Sequence, residues 1–106
     1  MSDEMISEFG QEAEELFSEA EECLLGMEKT TDYHASFNSV FRTFHSIKGA
    51  AGMFGLERLQ EHMHIVENML EGKKENTSMS TGMVDYLLSS IDAARKILDG
   101  DKIEFN

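Results

Sequence analysis

The residues best suited to chemistry lie in one short stretch of this sequence, FRTFHSIKGAAGMFG, residues 41 to 55. His45 supplies an imidazole, and one of its ring nitrogens is a nucleophile when the other carries the proton. Lys48, three residues later, can offset the negative charge of a phosphoryl group as it arrives. Residues 33–56 contain no aspartate or glutamate, although the chain has 21 acidic residues. This clearing of negative charge around one histidine favours an anionic group at His45.

Two glycines share the helical stripe of His45. At 100° per residue, His45, Gly49 and Gly52 lie about 80–140° from the centre of the apolar arc at Phe44. A glycine inside a helix costs about 0.5–1 kcal/mol relative to alanine, so its use here needs a reason. We expect the missing side chains to let a partner's active site reach the imidazole, and we assign Arg42 to the same access face.

A matching polar stripe lies on the next predicted helix. With Met63 as the centre of its apolar arc, Glu67 falls near about 40° and His64 near about 100°, with Gln60 between them. In an antiparallel hairpin, facing residues are roughly symmetric about the turn, and the segment GMFG at 52–55 reads as that turn. His45 is therefore expected to meet either Glu67 or His64. A carboxylate that accepts the Nδ1–H bond would fix the tautomer in which Nε2 is the nucleophile.

The elements that position these residues are four predicted amphipathic helices. In each of them, apolar side chains recur every three or four residues. The inward positions are 6, 9, 13, 16, 17, 20, 24 and 27; then 37, 40, 41, 44, 47 and 51; then 56, 59, 63, 66 and 70; then 83, 84, 87, 88, 91, 94 and 98. We predict a helix cap at Thr31 or Asp32, a stop near Gly72, a restart near Ser80 and an end at the DGD of 99–101. The fold class is all-α, an antiparallel up-down four-helix bundle over residues 1–100, with 101–106 as a tail or linker stub.

The composition excludes several classes of partner. The net charge of −12 argues against nucleic acid and against anionic membrane surfaces, and it leaves room for a partner with a basic rim. One cysteine, Cys23, excludes an internal disulfide and fits a reducing compartment. The start Met-Ser-Asp-Glu lacks the pattern of a signal peptide. We therefore expect a cytoplasmic protein.

The motif HSIKGAAGMFG resembles the phosphorylation-site signature of histidine phosphotransfer (HPt) domains, in which H-x-x-K-G precedes small residues and a phenylalanine. The continuation LERLQEHMHIVENMLEG is similar, more narrowly, to the N-terminal phosphotransfer domain of the chemotaxis histidine kinase CheA. The resemblance implies that His45 is the phosphorylated residue, Lys48 its neighbouring lysine and Gly49 the small residue that gives access. It also implies that His64 and Glu67 are the supporting pair. His62 is an extra histidine beside that pair.

The resemblance further implies what the domain works with. A kinase catalytic domain, in trans within a dimer, would transfer the γ-phosphoryl group of ATP, used with Mg, to His45. An aspartate in the receiver domain of a response regulator would then accept it. The sequence has no P-loop and no glycine-rich nucleotide lid, so we expect no cofactor on this domain itself and regard it as a carrier, while the parent chain would be a protein-histidine kinase.

Three alternatives stay open at this point. The domain could be a stand-alone carrier of a phosphorelay, or an inert helical adaptor with the same fold. His62, His64 and Glu67 could bind a metal, but Glu61 and His64 form only one copy of the Glu-x-x-His spacing that di-iron bundles need twice. We predict no metal site. Met53, Met63 and Met83 are expected to fill the core.

Overall fold

Four helices make up the protein in a computed structural model that describes residues 3–105, with side chains described for 4–100. They are α1 (Asp3–Leu25), α2 (Tyr33–Met53), α3 (Glu57–Glu71) and α4 (Thr81–Phe105). No strand occurs within residues 3–105. Each helix packs against two neighbours, α1 and α3 both lying between α2 and α4. The predicted all-α four-helix bundle is confirmed.

The core is built from the apolar arcs that the sequence pattern predicted. Phe17, Phe44, Leu59 and Leu87 are fully buried, one from each helix. Within the described residues, no helix is long and apolar enough to cross a membrane. Burial of these arcs fixes the rotation of each helix about its axis, so the polar stripes beside them face outward in a defined direction.

Two helix caps follow the sequence, whereas the turn predicted at 52–55 begins two residues later, because α2 continues through Gly52 to Met53. Asp32 caps α2, because its Oδ1 accepts a hydrogen bond from the backbone N–H of Ala35 at 3.1 Å. Ser80 does the same for α4, its Oγ accepting from the N–H of Met83 at 3.1 Å. Of the two predicted caps for α2, Asp32 rather than Thr31 is therefore the capping residue.

The turn between α2 and α3 reverses the chain in three residues. Gly55 has φ +72°, a left-handed conformation that glycine adopts without steric cost. The N–H of Leu56 bonds to the carbonyl of Ala51 at 2.9 Å, and the Phe54 ring stacks on Phe9 of α1 with centroids 5.2 Å apart. This closed turn sets α3 antiparallel to α2, which brings the two polar stripes together.

Two expectations about single elements were wrong. Met53 is 83% exposed, whereas Met63 and Met83 are buried as predicted. Met53 stands at the last position of α2, beyond the last residue of the buried arc, Ala51. Helix α4 continues to Phe105, past the predicted end at residues 99–101, because one glycine weakens a helix without stopping it. That residues 101–106 are a linker stub stays a prediction, and Asn106 lies outside the described residues.

Arg95 joins α4 to α1 on the side of the bundle away from the α2–α3 hairpin. Its guanidinium donates to Glu21 at 2.6 and 2.8 Å and to Glu14 at 2.9 and 3.1 Å. It also lies 5.7 Å from the centroid of the buried Phe17 ring. The hydrogen bonds from Arg95 hold the pKa of Glu21 below its usual range, and the two carboxylates raise the pKa of Arg95.

Replacing this arginine should destabilise the fold in a pH-dependent way. A carboxyl group with a lowered folded pKa contributes stability above its unfolded pKa, and that contribution is lost as the pH falls through the folded value. Arg95→Met keeps the apolar stem and is expected to lower the free energy of unfolding at pH 7 by about 1–2 kcal/mol. Urea unfolding followed by circular dichroism measures this loss, since the chain has no tryptophan.

Between pH 7 and a pH below the lowered folded pKa of Glu21, the difference between Arg95→Met and the parent should shrink, because the carboxyl group that Arg95 binds becomes protonated. Glu14→Gln, a change at a more exposed partner, serves as the control and should cost less. An equal loss at both pH values would show that Arg95 acts through packing on Phe17 rather than through charge.

Candidate functional site

His45 projects from the middle of α2 beside the buried arc. Its neighbours Phe44 and Ile47 are fully buried and fix the orientation of the helix. The His45 side chain is 64% exposed. A ring that borders the core but stands largely in solvent is accessible to the active site of another protein.

Glu67 of α3 orients the imidazole. Its Oε2 lies 3.2 Å from Nδ1 of His45, and its side chain is only 10% exposed. An ionised carboxylate only accepts hydrogen bonds, so Nδ1 carries the proton in this contact. In the neutral ring the lone pair is then on Nε2, the nitrogen on the other side of the ring.

Lys48 shares the same carboxylate. Its Nζ donates to Oε1 of Glu67 at 3.0 Å, and its side chain is 22% exposed. Glu67 thus bridges the imidazole with one oxygen and the ammonium with the other. The lysine balances the charge of a nearly buried carboxylate, and it also places a cation one helical turn from the His45 ring.

Phe41 supports the ring from the preceding turn of α2. The planes of Phe41 and His45 are 7° from parallel, with centroids 6.5 Å apart. Phe41 itself stacks on Phe37, centroids 5.9 Å apart. We assigned Phe41 only to the core from the sequence; its spacing of four residues from His45 is the signal that predicts a contact on one helix face.

Three candidate site residues of α3, namely His62, His64 and Glu67, point in different directions. His62 turns toward α4, where its Nε2 lies 2.8 Å from the carbonyl oxygen of Ser90. His64 is exposed and its Nε2 accepts from the amide of Asn68 at 3.3 Å. Of the two residues expected to meet His45, Glu67 does so, whereas His64 forms no hydrogen bond with His45 or Glu67.

The same divergence bears on metal binding. Because His62 faces α4 and Glu67 faces α2, the three proposed ligands do not converge. Within the described part of the chain, no three His, Cys, Asp or Glu side chains group in a way that could hold a metal ion.

The two glycines on the His45 stripe, Gly49 and Gly52, have different surroundings. A Cβ atom added at Gly49 would meet no atom within 4 Å, so the surface beside His45 is open there. A Cβ atom added at Gly52 would lie 2.7 Å from Nε2 of Gln60. Arg42 is exposed on the turn before His45. That Gly49, Gly52 and Arg42 give a partner access stays a prediction.

The sequence and the fold of this chain are similar to those of known proteins. The family model described as "Hpt domain" matches residues 4–97. The chemotaxis protein CheA of Klebsiella aerogenes is 37% identical over 95 residues, covering 89% of this chain and 15% of that protein. The CheA of Salmonella typhimurium is 36% identical over 102 residues, covering 92% of this chain and 15% of that protein. The chain therefore spans about a seventh of the length of these relatives.

A solved structure shares the fold. The CheA phosphotransferase domain from Thermotoga maritima superimposes with a TM-score of 0.84 at 24% identity, covering 94% of this chain and 96% of that one. At this level of identity, the likeness concerns the arrangement of the four helices.

Proposed function

We infer, since this chain belongs to the Hpt domain family, that His45 is the residue through which it carries phosphoryl groups. The function is phosphotransfer in two-component signalling of the chemotaxis type. The observation that supports His45 is its contact with Glu67: an exposed imidazole whose Nδ1 is held by a nearly buried carboxylate. His34, also on α2, instead packs edge-on against Tyr33.

The first half-reaction places the phosphoryl group on Nε2. The lone pair of Nε2 attacks the γ-phosphorus of ATP, the N–P bond forms, and the bond from phosphorus to the bridging oxygen breaks with its electron pair going to ADP. The ring keeps its Nδ1 proton and becomes cationic. Glu67 then faces a positive ring instead of a neutral one, and this contact stabilises the phosphorylated state.

The second half-reaction reverses the bonding at nitrogen. A carboxylate oxygen of an aspartate attacks phosphorus, and the N–P bond breaks with its electron pair returning to Nε2. Lys48 keeps a positive charge beside both transfers while paired with Glu67. The part of His64 in either step stays a prediction, because its ring contacts Asn68.

The partners follow from these two steps. The donor is a kinase catalytic domain that binds ATP with Mg, and we propose that it acts in trans within a dimer of a CheA-like protein. The acceptor is the receiver domain of a response regulator. We further propose that this exchange takes place in the cytoplasm.

Incubation with ATP and a CheA catalytic domain tests the function. The chain should gain phosphate that is stable in base and released in acid, as expected for an N–P bond. Addition of a receiver domain should then remove the label. Absence of label with ATP and with the small donor phosphoramidate would contradict the proposal and favour an inert adaptor.

A further inference from the structure

Gln60 of α3 and Gly52 of α2 make a contact that the phosphotransfer site does not use. The side-chain amide of Gln60 lies over Gly52, such that an added Cβ would stand 2.7 Å from its Nε2 and 3.2 Å from its Cδ. Real Cβ atoms do not come this close to a neighbouring atom. Any side chain at position 52 would therefore displace the amide.

Glycine at position 52 leaves the space in which the Gln60 amide lies. Glycine weakens a helix relative to alanine. The atoms that fill its Cβ position belong to a flexible side chain, which could turn away from an alanine at little cost to the fold. Folding therefore does not require glycine at position 52. The observed position of the Gln60 amide does require it, because a larger residue would occupy the same space.

The amide is presented in a groove beside His45. This groove is lined by Lys48, Gln60, His64 and two glutamates of α3, Glu57 and Glu61. Gln60 is exposed, and no hydrogen bond joins its side-chain amide to the residues whose side chains the structure describes. Its two N–H donors and its carbonyl acceptor are available to a partner.

A protein that delivers a phosphoryl group to His45 must cover this position. Gly52 follows His45 by seven residues on α2, about 10 Å along the helix axis. A standard protein interface covers about 800 Å² on each partner, a patch with a radius of roughly 16 Å. An interface centred on His45 therefore includes the Gln60 amide.

Building on the proposed function, we propose that Gln60 is a specificity-determining residue for the kinase catalytic domain. Its amide, seated on Gly52, hydrogen-bonds polar backbone groups of the domain that brings the γ-phosphoryl group. Gly52 affects the partner only indirectly, by allowing the Gln60 amide to lie over it. Gly49 instead leaves an open surface that the partner itself contacts.

The experiment compares two donors on the same chain. The rate of His45 phosphorylation is measured with ATP and a CheA catalytic domain that labels the parent chain. It is then measured with phosphoramidate, from which Nε2 takes the phosphoryl group as ammonia leaves. The ratio of the two rates isolates protein recognition from the reactivity of the imidazole. The variants are Gln60→Ala, Gly52→Ala, the double variant, and Gly49→Ala alone and with Gln60→Ala.

Gln60→Ala and Gly52→Ala should each lower the ratio by about three- to tenfold, the range expected for one or two hydrogen bonds. The double variant should be no lower than either single one, since both remove the same contact. Gly49→Ala should lower the ratio further in the Gln60→Ala background, because it acts directly on the partner.

An unchanged ratio in Gln60→Ala would overturn the proposal, as would an additional loss when Gly52→Ala is added to Gln60→Ala. The second result would show that Gly52 makes room for the partner. Failure of the proposed function would be seen in the parent chain, which would then accept phosphate from neither donor.

Discussion

His45→Gln should abolish phosphorylation of the chain. Glutamine keeps a polar side chain of similar reach but has no nitrogen lone pair able to form an N–P bond. Labelling by a CheA catalytic domain with ATP should fall by at least about 100-fold, because the nucleophile itself is lost. Radioactive phosphate incorporation, followed by acid and base treatment of the product, measures this directly.

The fold should survive this substitution. The His45 side chain is 64% exposed, and substitutions at such surface positions usually change the free energy of unfolding by less than about 0.5 kcal/mol. His34→Gln is the matched control, an exposed histidine on the same helix, and it should label like the parent. Equal labelling of His45→Gln and the parent would remove His45 from the mechanism.

Glu67→Ala should slow phosphorylation without removing the nucleophile. The variant loses the acceptor that keeps the proton on Nδ1, so part of the population carries it on Nε2 and cannot attack. It also loses the negative charge that faces the cationic ring after attack. At metal sites, removing a carboxylate that orients a ligand histidine lowers metal affinity or activity by about 10- to 100-fold. We expect a decrease of that size in the phosphorylation rate.

Two measurements and one matched variant separate the orientation of the imidazole from the folding of the chain. Helicity by circular dichroism should stay at the parent level, because alanine favours helix and Lys48, 22% exposed, can turn toward water. Nitrogen-15 NMR of the imidazole should show a shift from the Nδ1–H toward the Nε2–H tautomer. Glu71→Ala removes an equal charge from the end of α3 and should change neither rate nor tautomer. Unchanged kinetics in Glu67→Ala would exclude Glu67 from the reaction.

Much of the candidate site could be read from local patterns. The stripe of His45 and Gly49 lies beside the apolar arc of Phe44 because both follow from the fixed angle of 100° per residue in a helix. The symmetry of a hairpin about its turn then limited the facing residue to Glu67 or His64. Hairpin symmetry alone does not distinguish Glu67 from His64, because they lie one helical turn apart, about 5 Å, which is within the register uncertainty of an antiparallel pair.

The tertiary structure made that choice through side-chain direction. Glu67, which the helical angles already place nearer the buried arc of α3, points across the interface to His45, whereas His64 points along the outer surface toward Asn68. The pairing of Lys48 with Glu67 was also not predictable, because a lysine stem of four carbons can reach several acceptors.

The sequence by itself thus determined four helices, their buried faces and the position of His45 on an acid-free stripe, because these depend on periodicity along one chain. Only the tertiary structure decided that Glu67 holds Nδ1, that His62 turns to α4 and that Gln60 fills the space above Gly52. Those contacts depend on distances between helices, and changes of about 1 Å in helix position or a single rotamer step would alter each of them.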